Sequence, residues 1–432
     1  MFVIYGFAPI GPQVHAVVAD LAELAADPAA DPTVKVASLY SRALLAYETA
    51  DFDNARHFAH EFGSAVSGTS RYVGVRADLL LAAIAFAQGE PATAEAMCSR
   101  AARVAKRHST YDTRPVAVAD ALLAELDLER NRTGSLHQRV PSAPSLDGTA
   151  AWLDVYLAAT DTAAVLAARS DVERASIVVA RALERARQST RPRLARCLAA
   201  LHVSNLVQIG RHEEAASLWE SNSLPTDTSA CVDLSHQSWR EMECVCSARG
   251  RLLAAAGHLE EAGVLSRTFA TVARHRGLVR SLTYANAVAI YVAWRGGDLR
   301  IAREETIENL ELFARTGYCR ALLWHQESTV VALQGLGDAI EAQLDAARTA
   351  LLSMVATPSD DQDTPDLTAR ELDVLARLGH ARDKEIAREL DLTDNGVRYH
   401  VKNIFRKLGV TDRRAAARRA RSLGVLPAPD RT

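Results

Sequence analysis

No apolar run in the 432 residues approaches the roughly 20 that a bilayer-spanning helix needs. The opening MFVIYGFAPIGP is apolar, but it lacks a basic n-region and is broken by glycine and proline, so it does not read as a signal peptide. There is no Gly-Lys dipeptide, which excludes a GxxxxGK[ST] phosphate loop, and HExxH, GxSxG and GxGxxG are missing as well. Six cysteines are scattered at positions 98, 197, 231, 244, 246 and 319 without a CxxC pair. They read as buried free thiols of a reducing cytoplasm rather than as a zinc site. His57 and His60, the closest histidine pair, stand alone at i, i+3. No catalytic residues, metal ligands or cofactor site are expected, and the chain reads as a non-enzyme of the cytoplasm.

What is there suits helices. Residues of the apolar class make up 48%, with much Ala, Leu and Arg; the 22 glycines and 14 prolines are a modest number, and alternating Val/Ile/Thr runs are missing. The net charge of −3 hides an asymmetry. From Pro365 onward there are 15 Lys and Arg against 10 Asp and Glu, and in the remainder 35 against 43. A basic end on an acidic body points to a local site for an anionic polymer.

A short motif recurs: a turn residue, a polar pair, then an alanine that opens a new amphipathic run. The alanines are Ala55, Ala94, Ala175, Ala215, Ala262, Ala302 and Ala342, at steps of 39, 81, 40, 47, 40 and 40. The step of 81 spans two periods and places a degenerate copy near Asn131 to Ser135. The turn residue breaks one helix, and acidic pairs sit in the first turn of the next, where the helix dipole favours them. A stack of helical hairpins follows, similar to tetratricopeptide repeats with a longer period, forming a superhelix with a concave surface. Proline-containing stretches at Ser135–Thr149 and Ser221–Ser235 are expected to interrupt it. Tyr284 and Trp324 each precede a repeat alanine by 18 residues and read as core; Trp239 and Trp294 fall off that register and stay open as ligand contacts. Ala356 to Asp366 (ATPSDDQDTPD) reads as an acidic linker.

Beyond it, Leu367 to Leu408 holds three short amphipathic helices. Leu367, Leu372, Leu375 and Leu378 face inward in the first. Ile386, Ala387 and Leu390 do so in the second, which begins after Asp383. In the third, which begins after Thr393, the inward residues are Val397, Val401, Ile404 and Leu408. Arg398, Lys402 and Arg406 then share the outer face, with Tyr399 beside them. Two short helices joined by a turn, the second with a basic outer stripe, suit a helix-turn-helix laid in the major groove.

The stretch resembles the LuxR-type DNA-binding domain of bacterial transcription regulators. The resemblance rests on Leu367-Thr368-x-Arg370-Glu371, Val374-Leu375, Lys384-Glu385-Ile386-Ala387, Val397-Arg398-Tyr399-His400, Ile404, Lys407-Leu408, Val410 and Arg413, and covers about an eighth of the chain. Gly396 stands where the family usually has Ser or Thr, and the run between Val374 and Lys384 is one residue short. With the repeats, the chain resembles the C-terminal parts of large maltose-regulon-activator-like regulators without their nucleotide-binding module. By this resemblance Arg398, Tyr399 and Lys402 contact DNA bases, while Lys384, Thr393, Asn395, Arg406 and Lys407 contact phosphates. A fourth helix from Asp412 to about Ser422, capped by Thr411, supports pairing of two domains on DNA.

The expected architecture is all-α: a tetratricopeptide-like helical-hairpin superhelix over 1–355, a linker over 356–366, and a four-helix LuxR-type helix-turn-helix domain over 367–432. The expected function is sequence-specific transcription regulation. The expected partners are double-stranded DNA, a second copy of the chain, and a small-molecule or protein signal on the repeats; RNA polymerase is a further candidate, and no membrane is involved. The alternative is a helical-repeat interaction scaffold with weak or vestigial DNA binding.

Overall fold

The computed structural model describes residues 10–67, 71–107, 114–136, 153–168, 172–336, 342–356, 369–378, 381, 383–390, 392–408, 413 and 416. Among these, every regular element is helical. The chain divides into two compact units, Met1–Ala356 and Thr357–Thr432. The acidic linker expected over 356–366 lies, from residue 357 on, outside the described residues, as does most of the interruption expected over 135–149.

The first unit runs α1 (Pro12–Ala26), α2 (Pro32–Glu48), α3 (Phe52–Ser67), α4 (Arg71–Ala87), α5 (Pro91–Lys106) and α6 (Arg114–Glu129), then a 3-10 turn at Thr133–Ser135. It continues with α7 (Leu153–Ala168), α8 (Val172–Gln188), α9 (Pro192–Gln208), α10 (His212–Ser221), α11 (Thr228–Val232), α12 (Trp239–Ala255) and α13 (Leu259–His275). It ends with α14 (Val279–Gly296), α15 (Leu299–Thr316), α16 (Arg320–Leu323), α17 (Gln326–Gln334) and α18 (Ala342–Ala356). Proline opens α1, α2, α5 and α9, where its missing N–H has no intrahelical partner to lose.

Where its turn lies among the described residues, the recurring motif has one physical form. A residue with positive φ ends the helix, and the next N–H turns back to the carbonyl five residues earlier. This occurs at Gly89–Glu90 (to Ala85, 2.8 Å), Gly210–Arg211 (to Leu206, 2.9 Å), Gly257–His258 (to Leu253, 2.9 Å) and Gly297–Asp298 (to Ala293, 2.9 Å). Ala50 and Asn131 take the same conformation at φ 56° and 53° without being glycine. Asn131 lies inside the step of 81, and the N–H of Arg132 bonds Asp127 at 2.7 Å. Five residues past Ala50, Gly89, Gly210, Gly257 and Gly297, the alanines Ala55, Ala94, Ala215, Ala262 and Ala302 are buried, which lets neighbouring helices approach closely. The step of 47 holds the extra short helix α11, capped by the Asp227 carboxylate.

One apolar core runs from Tyr40 to Leu351. Trp239 belongs to it, fully buried with its ring edge-on to Tyr47 at 5.8 Å, so it is not a ligand contact. Distant hairpins also meet. The Tyr318 hydroxyl donates to the Phe86 carbonyl at 2.9 Å, and the Cys319 N–H donates to the Glu129 carbonyl at 2.8 Å.

Threaded through this core is a ladder of four buried arginines: Arg193, Arg240, Arg280 and Arg320. Each precedes a repeat alanine by 22 residues. Arg193 pairs with Glu48 (2.6 Å) and Glu241 (2.9 Å). Arg240 pairs with Glu125, Asp154 (2.9 Å) and Glu243 (3.1 Å). Arg280 pairs with Glu125 (3.2 Å), Glu129 (2.9 Å) and Glu243, and Arg320 with Asp161. Seven carboxyls meet four guanidiniums, so not every carboxyl has a full counter-charge. Burial, opposed by the Arg320 and Arg240 guanidiniums respectively, pushes Glu129 up to about 7 and Glu243 up to about 8.

The second unit contains α19 (Ala369–Leu378), α20 (Asp383–Glu389) and α21 (Asp394–Leu408), with Arg413 and Ala416 helical beyond. The rest of the expected fourth helix lies outside the described residues.

Candidate nucleic-acid interface

Three helices of this size can bury only a small core. Val374, Leu375, Leu378, Ile386, Ala387, Val397, Ile404 and Ala416 fill it, with Leu390, Leu392 and Val401 at its edge. One expected core residue is placed differently. Leu372 is 39% exposed, and Glu371 is buried in its stead. Positions 371, 374, 375 and 378 form the i, i+3, i+4, i+7 stripe, and Leu372 lies about 100° round the helix from it.

The turns around this core are held by polar contacts. Arg377 Nε donates to Glu389 Oε2 at 2.8 Å, tying α19 to α20. Arg413 donates through Nη1 to the Ala381 carbonyl at 3.0 Å and also pairs with Asp383. Arg413, the last residue of the resemblance, is therefore a clamp on the start of α20. Thr393 caps α21: its hydroxyl accepts the Gly396 N–H at 3.1 Å, and its carbonyl accepts the Val397 N–H at 3.0 Å. Its own O–H remains a donor. A Cβ on Gly396 would sit 3.3 Å from that hydroxyl oxygen, so the cap is built tightly around this glycine.

With Val397 and Ile404 fully buried and Val401 half-buried, the opposite side of α21 is fixed as the outer face. Arg398, Tyr399 and Lys402 are exposed on it, Tyr399 by 65%. Arg398 and Lys402 stand one turn apart. The Tyr399 ring meets His400 edge-on at 5.7 Å. Lys384 is exposed in the first turn of α20, and Thr393 is exposed at the start of α21. The side chains of Asn395, Arg406 and Lys407 lie outside the described residues. A helix about 10–12 Å across fits a B-form major groove about 12 Å wide. A cationic, aromatic-flanked face can therefore meet base edges while flanking donors meet phosphates.

Residues 365–420 match the family of bacterial regulatory proteins, luxR family. The C-terminal unit carries a luxR-family domain. Similar curated proteins are the transcriptional regulatory protein LnrK of Bacillus subtilis and the HTH-type transcriptional activator RamA of Corynebacterium glutamicum. LnrK is 53% identical over 53 residues, 12% of this chain and 24% of that protein. RamA is 39% identical over 79 residues, 18% of this chain and 28% of that protein. The chain thus covers about a quarter of the length of each. Within the luxR-family domain the resemblance read from Leu367 to Arg413 holds, and the first unit, which ends at Ala356, stands outside the family match. Among the described residues, no helix is long and apolar enough to cross a membrane. Nor does any group of three or more His, Cys, Asp or Glu side chains among them form a metal site.

Proposed function

We propose that the protein is a bacterial transcription regulator that binds double-stranded DNA through its luxR-family domain, with α21 reading the major groove. The observation that carries this reading is the exposed Arg398–Tyr399–Lys402 face on the side of α21 opposite its buried stripe. Arg398, Tyr399 and Lys402 read base edges, and Lys384, Thr393, Asn395, Arg406 and Lys407 hold phosphates. The protein acts in the cytoplasm without catalysis. Residues 1–355 receive a signal, 356–366 link, and 367–432 bind DNA as a homodimer on a two-fold site, with RNA polymerase as a further partner.

The test is selection of bound sequences from a random duplex library by the intact chain, beside the double variant Arg398→Ala/Lys402→Ala. A two-fold motif that disappears in the variant is the expected result. A motif that survives the double variant assigns base reading to other residues. No enrichment by the intact chain, with or without extract supplying a signal, overturns the reading in favour of a protein-interaction scaffold.

A further inference from the structure

The four ladder arginines meet carboxylates; a fifth buried arginine does not. Arg251 on α12 is 4% exposed. No carboxylate among the described residues pairs with it, and its Nη2 is buried without a hydrogen-bond partner. Its Nε donates to Nε2 of His325 at 3.0 Å, which makes that imidazole the acceptor and hence neutral. Burial, reinforced by Arg251, holds His325 well below its ordinary pKa. The guanidinium lies over the Trp324 ring, 4.0 Å from its centroid. Burial pulls the Arg251 pKa down to about 9. A buried charge without a counter-ion is strongly unfavourable. Such a violation of local consistency marks a site where something is missing.

The surroundings indicate what is missing. Arg251 borders a cavity of about 230 Å³ together with Ser204, Tyr291, Trp294, Trp324 and His325. The Tyr291 ring stacks on His325 (4.5 Å, 18°) and against Trp294 (6.2 Å, 30°), giving the cavity a flat aromatic wall. Helix α17 starts at the same cavity. Its first turn, Gln326 to Ser328, borders it, and the N-cap residue, His325, makes no side-chain cap there. Uncapped N–H groups at a helix start favour an anion. Among the described residues, the one carboxylate bordering the cavity is Glu327, which is exposed and forms no ion pair with Arg251. A narrower recess of about 50 Å³ shares Ser204 and Trp324 and reaches Asp161 and Glu243. Those carboxyls are already engaged by Arg320, Arg240 and Arg280, so the free charge of the site is positive.

We infer that this cavity is the receptor site for a small organic anion, its carboxylate or phosphate paired with Arg251 and the start of α17, its flat body against Tyr291, Trp294 and Trp324. The inference rests on the reading that the helical unit receives a signal, and it gives that signal a chemical class. Trp324, assigned to shared core packing by its register, is one wall of the site; Trp294, left open by that register, is another.

The test is titration of the full chain with benzoate, phenyl phosphate, inorganic phosphate and neutral benzamide, reading tryptophan fluorescence and Tm. Saturable binding of benzoate or phenyl phosphate is expected, and the tighter of the two tells carboxylate from phosphate recognition. Arg251→Met should weaken it at least about tenfold, because a charge-assisted pair is lost. Trp294→Ala, at the half-buried rim, should weaken it with Tm unchanged and so guards against a folding artefact in the first variant. Benzamide binding as tightly as benzoate, wild-type affinity in Arg251→Met, or no response from any anion up to about 10 mM, far weaker than typical metabolite affinities, each overturns the site. A response to inorganic phosphate equal to that of phenyl phosphate overturns the aromatic wall's part in it. No DNA is present in this titration, so failure of DNA reading in the library selection leaves its result standing, and the reverse holds too.

Discussion

Arg193 and Glu48 are 145 residues apart in the chain and 2.6 Å apart in the fold. Both are buried, and Arg193 also holds Glu241. The contact ties α2 to α9 and α12 through charge as well as apolar packing. Removing one member of a buried pair strands the other, at about 3–5 kcal/mol. Arg193→Met, which strands two carboxyls, should lose about that much stability. Glu48→Gln should lose less, because Glu241 still neutralises the guanidinium. Urea denaturation of the purified variants checks both, and an equal loss would mean that Glu241 does not share the charge.

The surplus of carboxyls in the ladder gives stability a pH dependence with a defined sign. Glu129 and Glu243 have folded-state values of about 7 and 8, raised above an unfolded value of 4.5. The folded state therefore binds more protons between those limits. The stability these groups contribute is fully present below pH 4.5 and is lost as pH rises through about 7 to 8. Each contributes a slope of up to about 1.4 kcal/mol per pH unit within its window. Thermal unfolding across the range should show Tm falling from mildly acidic to mildly alkaline pH. Glu243→Gln, which cannot ionise, should flatten the upper part of that fall.

The repeat was legible because its signal is local: one helix ends at a left-handed residue, and five residues later a small side chain lets the next helix approach. The helix-turn-helix was legible because Val397, Val401 and Ile404 fix one face and so expose Arg398 and Lys402. Leu372 was misplaced because composition favoured a leucine over Glu371, whereas the stripe through Val374, Leu375 and Leu378 passes through position 371. The arginine ladder was not read, although its spacing of 47, 40 and 40 copies that of the alanines. A cation in the first turn of a helix reads as a solvated residue, and the partners of these arginines lie up to 159 residues away. Arg251 is harder still, since nothing in a sequence marks an arginine that meets no carboxylate.

Gly89 and Gly257 close equivalent turns and should respond differently to alanine. Both have positive φ, 73° and 87°, so a Cβ costs about 1–2 kcal/mol in either. At Gly257 the added atom meets open space, whereas at Gly89 it would lie 2.6 Å from Val279 Cγ1 on α14. That overlap should add about 1–3 kcal/mol of overpacking. The larger loss in Gly89→Ala, measured by denaturant midpoint at constant m-value, would place the close approach of that turn to α14 in solution. Equal losses would say that the turn moves aside.

On DNA, Arg398 and Lys384 should fail in different ways. Arg398 projects from the outer face of α21, where a guanidinium can reach two acceptors on one guanine. Lys384 is exposed in the first turn of α20, and the proposed reading gives it a phosphate. Arg398→Ala should weaken binding to the selected site by about 1–3 kcal/mol and relax preference at one base pair, with little change on random duplex. Lys384→Ala should weaken selected and random duplexes alike and reduce the salt slope by about 1. Fluorescence anisotropy on both duplexes over a range of salt separates the two behaviours. If the variants lose the same free energy on both duplexes with the same change of slope, Arg398 is a phosphate contact, and sequence is read by other side chains of α21, with Tyr399 and Lys402 the next to replace.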